Sequence, residues 1–231
     1  MAEPSAALNG AWLLALWGVV LLQSGLSGRL DLLLRGGFHP LVSGSGLLLI
    51  ALALLQTPWR LGPSGQRRAW PRRWPWAWWI SAVVAVAVLL LPPNPSFSAL
   101  GANRPMPNAQ ETSLDFLLPP SQRSLTDWVR LLRSQPDPEL YAGDPVRISG
   151  FVLEQPGQPP ELARLLVRCC LADATPVGLP VQWPAGLQPR RDQWLAIDGR
   201  MGIRAAGGQQ QSVVIPERIR PIQRPQRPLE P

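Results

Sequence analysis

The sequence predicts an α+β membrane protein: N-terminal transmembrane helices, then a C-terminal all-β, OB-like five-stranded barrel preceded by one short helix. Three observations carry that expectation. Long apolar runs fill residues 1–91. Residues 92–231 hold 28 of the 37 charged residues, fifteen Arg and thirteen Asp or Glu. Pro (28) and Gly (20) make up about a fifth of the chain, which favours turns and short strands over long helices outside the membrane.

The first apolar run is Ala6–Gln23. It is long enough to cross a hydrocarbon core of about 30 Å. No Arg or Lys precedes it and no clear small-residue cleavage site follows, which disfavours a signal peptide. The second run, Phe38–Thr57, enters through His39, Pro40 and an SGSG stretch. Those small residues either admit a neighbouring helix or mark a tolerant helix end. His39, the sole histidine, sits at this edge as an interfacial residue.

The third run, Trp74–Leu91, follows Arg67, Arg68, Arg72 and Arg73. Trp74, Trp76, Trp78 and Trp79 crowd its start. Arginine, then indole, then aliphatic side chains is the order expected from water into lipid. These eight residues are the expected membrane interface. Arg60 joins the cluster, and no acid lies within it, so the positive-inside rule places this loop in the cytoplasm. A multi-pass plasma (inner) membrane protein follows, with its C-terminal domain extracytoplasmic or periplasmic.

The expected domains are a transmembrane anchor over 1–91 (helices about 6–23, 38–57 and 74–91), a linker over 92–120, an OB-like soluble domain over 121–220 and a Pro-rich tail over 221–231. In the soluble domain, Ser124 and Asp127 form a capping-box pattern, with Leu125, Trp128, Val129 and Leu132 at helical spacing. Five strands are expected at Asp144–Leu153, Arg164–Ala172, Pro176–Trp183, Gln193–Ile203 and Gln211–Arg220. Gly150 and Gly199 each end an alternating strand pattern, where a small closed barrel needs a sharp bend.

Chemistry concentrates at Arg168, Cys169, Cys170 and Asp173. Adjacent cysteines cannot staple distant segments, so no disulfide framework exists. Vicinal thiols bind a soft metal, close a strained ring, or pack as core. In an unbroken strand they point to opposite faces and cannot share one ion. The soluble domain has no His, no CxxC and no phosphate-binding loop, so no catalytic constellation is visible and no cofactor is expected apart from a soft metal ion at Cys169 and Cys170. The carboxylates Asp173, Asp192 and Asp198 are scattered and read as turn residues and solvated ends. The near-balanced charge of the soluble part disfavours nucleic acid.

The stretches LTDWVRLLRSQPDPELYAGDPVRISGFV, ARLLVRCCLADATPVGLPVQWP, DQWLAIDGRM and SVVIPERIRPIQRPQRPLEP resemble the cyanobacterial branch of the YcgQ-like family of membrane proteins. The RCC-x-AD core is the most specific element. The resemblance implies a permease-associated component, paired with a YcgR-like permease. The expected function is therefore a non-enzymatic accessory subunit whose outer domain binds or gates solute, with membrane lipid and the permease as partners. The alternative is a membrane-anchored metal- or thiol-handling sensor built on the vicinal cysteines.

Overall fold

The computed structural model describes residues 5–56, 75–91, 93–104, 118–206 and 208–230. The chain forms two compact units, Met1–Asn94 and Pro95–Pro231.

In the first unit, α1 (Ser5–Leu26), α2 (His39–Gln56) and α3 (Pro75–Leu90) are apolar helices. Glycine sets how closely α1 and α2 pack. A Cβ on Gly18 would lie 2.8 Å from the Gly46 carbonyl oxygen, and one on Gly46 would lie 2.9 Å from that of Gly18. Backbone thus meets backbone at the helix crossing, the use that small residues serve between apolar helices. The Trp17 indole N–H donates to Ser81 Oγ at 3.0 Å, and Arg29 donates to the Val88 carbonyl at 2.8 Å, tying α1 and its exit to α3.

The expectation of several N-terminal transmembrane helices is corrected here. Among the described residues one helix, Gly36–Gln56, is long and apolar enough to cross a membrane. The stretches Ala11–Leu26 within α1 and Trp76–Leu90 within α3 are apolar but shorter. At about 1.5 Å per residue, an apolar stretch under eighteen residues falls short of a core about 30 Å thick. Trp76, Trp78 and Trp79 are exposed on α3. Arg67, Arg68, Arg72, Arg73 and Trp74 lie outside the described residues.

The second unit is built on a sheet. Its strands are β1 (Pro145–Leu153), β2 (Glu161–Leu166), β3 (Thr175–Pro180), β4 (Trp194–Ala206), β5 (Gln209–Pro221) and β6 (Leu229–Glu230). They run in the order β3-β2-β1-β4-β5, each pair antiparallel, and β6 pairs parallel with β2. An isolated parallel bridge joins Val181 to Val214. The five-stranded OB-like barrel is therefore corrected to an α+β unit with a six-stranded, mainly antiparallel sheet. The added strand comes from the Pro-rich tail, whose Leu229 and Glu230 align with Leu165 and Leu166.

Two helices cover the sheet. The α5 helix (Leu125–Ser134) carries the expected capping box, with Ser124 Oγ accepting from the Asp127 N–H and the Asp127 carboxylate accepting from the Ser124 N–H. Its Leu125, Trp128, Val129 and Leu131 bury against Ile148, Val152, Leu162, Val177 and Ile197. The expected linker contains a helix too: α4 (Phe97–Ala102), capped by Ser96. Phe97 packs with Phe151, Leu153, Ala163, Leu165 and Trp194 in a second core. Both faces of the central strands are thus covered, which explains why Phe151, Val152 and Leu153 are buried in succession rather than alternately.

Gly150 and Gly199 mark close backbone approaches within the sheet rather than the bends of a closed barrel. A Cβ on Gly150 would lie 2.5 Å from the Ala163 carbonyl oxygen, and one on Gly199 would collide with the Ile215 carbonyl. The β4–β5 register shifts between Asp198 and Gly199, a bulge at the predicted bend.

Candidate functional site

The strand expected over Arg164–Ala172 stops at Leu166. Val167 is buried in the second core, and so is Ala174. Between these two anchors the chain turns out of the sheet and forms a 3-10 turn at Leu171–Asp173. The cause is Asp173. Its Oδ1 accepts the Arg168 N–H at 3.0 Å, and its Oδ2 accepts the N–H groups of Cys169 at 2.8 Å and Cys170 at 3.4 Å. A carboxylate that captures three successive amides competes directly with the strand ladder those amides would otherwise join.

The break changes where the thiols point. In a continuous strand they would diverge; in this turn Cys169 Sγ lies 3.5 Å from Cys170 Sγ. Sulfur and carboxylate donors of Cys169, Cys170 and Asp173 all fall within 4.8 Å of one another. Cys169 is exposed and Cys170 half-buried, and both are free thiols. The structure therefore brings together three of the four residues singled out in the sequence. Arg168 contributes its backbone N–H to the same carboxylate.

Electrostatics follow from that geometry. The thiol of Cys169 hydrogen-bonds to Asp173, and this bond, with the contact to Cys170, pushes the thiol up to about 12. Burial would raise the Asp173 carboxyl, but the hydrogen bonds from the Cys169 thiol and the three amides outweigh it and hold the group below its ordinary value. The resting site is thus a neutral Cys169 thiol beside an ionised carboxylate.

Arg104, just beyond α4, was not singled out by sequence. Its Nη1 donates to the Leu171 carbonyl at 3.1 Å and to the Ala174 carbonyl. It clamps the turn from the side opposite its amides. No local pattern marks Arg104, because its partners lie about seventy residues away. The other carboxylates have different tasks. Asp192 accepts from Ser96 Oγ at 2.5 Å and the Ser98 N–H at 2.6 Å, seating α4 from a positive φ of 61°. Asp198 sits between Arg147 at 3.4 Å and Arg220 at 3.0 Å on exposed strand faces. His39 lies 3.9 Å from Asp31 in the first unit.

Two thiols and a carboxylate in one turn form a chelating set for a thiophilic cation. Among the described residues the carboxylate beside the thiols already accepts three amides and the Cys169 thiol, which leaves it poorly placed to act as a base. No curated protein and no solved structure matches the chain. Residues 122–229, which include the dithiol turn, match one family model, the DUF1980 C-terminal domain.

Proposed function

We propose that this is a non-enzymatic, membrane-anchored accessory protein whose second unit captures a thiophilic cation at Cys169, Cys170 and Asp173. The observation that carries the reading is the convergence of two sulfurs and a carboxylate within 4.8 Å, in a turn that breaks a strand to make it. This favours the cation-handling alternative over solute gating by the sheet as a whole.

Support for the anchor comes from Gly36–Gln56. Only 11% of its apolar window is buried, whereas the core helix of a soluble protein is mostly buried. Leu41, Leu47, Leu48, Leu54 and Leu55 are all exposed on it, an apolar surface that water would penalise. The finer placement, in a cyanobacterial branch of YcgQ-like proteins with a YcgR-like permease as partner, rests on the RCC-x-AD core and the resemblance around it. In that arrangement the dithiol turn would present its cation to the permease.

The test is metal retention. Full-length protein in mild detergent, reduced and exposed to Zn²⁺, Cd²⁺ or Cu⁺, is desalted and its bound metal counted. One ion per chain is expected, and the C169A/C170A double variant is expected to retain none. Equal retention by both would remove the proposal. Co-purification from membranes tests the partner separately: repeated absence of any permease would discard that part alone.

A further inference from the structure

The separation of the two sulfurs says which kind of cation fits. Resting on the cation-binding reading above, we infer that the turn is a tripod for a four-coordinate divalent ion of the zinc class. Cys169 Sγ, Cys170 Sγ and one Asp173 oxygen would hold three positions, and the fourth would stay open to a ligand from outside the turn.

Sulfur geometry comes first. With metal–sulfur bonds of about 2.3 Å, a tetrahedral ion holds two sulfurs about 3.8 Å apart, and a linear two-coordinate ion holds them about 4.6 Å apart. The thiols stand 3.5 Å apart. They need to part by only a few tenths of an ångström for the tetrahedral case, but by about 1 Å for the linear one. Adjacent residues in a turn pinned by Val167, Ala174 and Arg104 have little room for the larger movement.

The third donor points the same way. Carboxylate oxygen suits zinc and is a poor ligand for monovalent copper, which soft sulfur satisfies alone. Asp173 is also free to serve without losing its structural role. A carboxylate offers about four lone-pair sites. Three of them take the amides of Arg168, Cys169 and Cys170, and the fourth takes the Cys169 thiol proton. A metal bound by both groups replaces that proton and leaves the amides in place. On binding, each thiol gives a proton to solvent, the carboxylate stays ionised, and no electrons move.

The open position follows from count and exposure. Among the described residues this group supplies three donors, and Cys169 lies at the surface. Three protein ligands with a vacant fourth position is the pattern of zinc sites that exchange ligands, whereas purely structural sites are closed by four. An accessory protein that must release its ion to a partner needs such a position.

Cobalt(II) is the probe for the geometry. Reduced full-length protein in detergent is titrated with Co²⁺, then Zn²⁺, and in parallel with Cu⁺. The expected result is one Co²⁺ per chain with tetrahedral visible bands and sulfur-to-metal charge transfer. Zn²⁺ should displace it, and added imidazole should shift the bands by entering the fourth position. Asp173→Asn should weaken Zn²⁺ at least tenfold while a small thiol reagent still counts two thiols per native chain. Two reactive thiols in that variant show that they are still presented. Linear Cu⁺ binding without Zn²⁺ binding would overturn the tripod but keep the cation-binding reading. Bands that imidazole does not move, or a Zn²⁺ affinity indifferent to Asp173→Asn, would also overturn it. If neither Zn²⁺ nor Cu⁺ is retained, the cation-binding reading fails as well.

Discussion

Three amides and a thiol converge on Asp173, and the chemistry of Cys169 depends on that convergence. The raised Cys169 thiol is protonated throughout the range in which ordinary thiols near 9 begin to ionise. Wild-type Cys169 is therefore expected to alkylate slowly with iodoacetamide at pH 8–9. Asp173→Asn removes the largest cause of the shift and should speed alkylation at pH 8 about tenfold, measured by mass spectrometry of the 168–173 peptide. Equal rates in both proteins would show that the carboxylate does not control the thiol. Asp173 also contributes stability above its ordinary pKa, lost as pH falls through the lowered folded value. Glu161 has the opposite sign. Burial raises its carboxyl, Arg204 opposes this, and Oε2 has no partner among the described residues. Its raised pKa means stability is greatest in acid and falls as pH rises through the folded value. Glu161→Gln should therefore gain roughly 1 kcal/mol at pH 7, net of the lost attraction to Arg204, and lose that acid dependence in urea titrations at pH 4 and 7. A less stable variant at pH 7 would show that the Arg204 attraction dominates.

At the scale of elements, local codes were legible and long-range ones were not. The α5 helix follows from Ser124, Asp127 and the spacing of its apolar residues, all within ten positions. The strand break after Leu166 does not, because Arg164–Ala172 has the composition of a strand. The deciding interaction is a side chain at 173 capturing amides up to five residues back. The signal available was Asp173 itself, three residues after Cys170. For α4, the signal was Ser96 as a cap before Phe97, hidden by the surrounding Pro and Asn. The tail strand β6 had no local signal, since its partners are distant: Glu230 pairs with the buried Arg164 at 3.5 Å and accepts from Thr126, and its carbonyl accepts the Val167 N–H at 2.8 Å. That last contact fixes the chain at the entrance to the dithiol turn. Glu230→Gln should cost about 2 kcal/mol in chemical denaturation, because a nearly buried guanidinium loses its counter-charge. A change under about 0.5 kcal/mol would show that β6 is held by its backbone alone. At the β4 bulge, Gly199→Ala should cost about 1–3 kcal/mol, because the obstacle is the Ile215 backbone and no side chain can swing aside. A variant as stable as wild type would mean that β4 and β5 can separate there without loss.

For the whole molecule, the question with most consequence is which side of a membrane holds the dithiol. The five arginines at 60, 67, 68, 72 and 73 favour the cytoplasmic side for that stretch. With Gly36–Gln56 as the proposed crossing and α3 shorter than a bilayer core, the proposed placement of the second unit is on that same cytoplasmic side. Compartment changes the chemistry. In the cytoplasm a reducing thiol pool keeps Cys169 and Cys170 free without help, and competes with them for soft ions. Outside, oxidants act on exposed thiols, and a bound cation protects both sulfurs by occupying the lone pairs an oxidant would attack. The expected outcome is therefore twofold. An alkaline phosphatase fused after Pro231 should be inactive, and a cytoplasmic fluorescent reporter at the same place bright. A membrane-impermeant maleimide should label Cys169 only after the cells are lysed and a chelator strips the site. Labelling in intact cells would put the second unit outside and require a further crossing between Gln56 and Pro95.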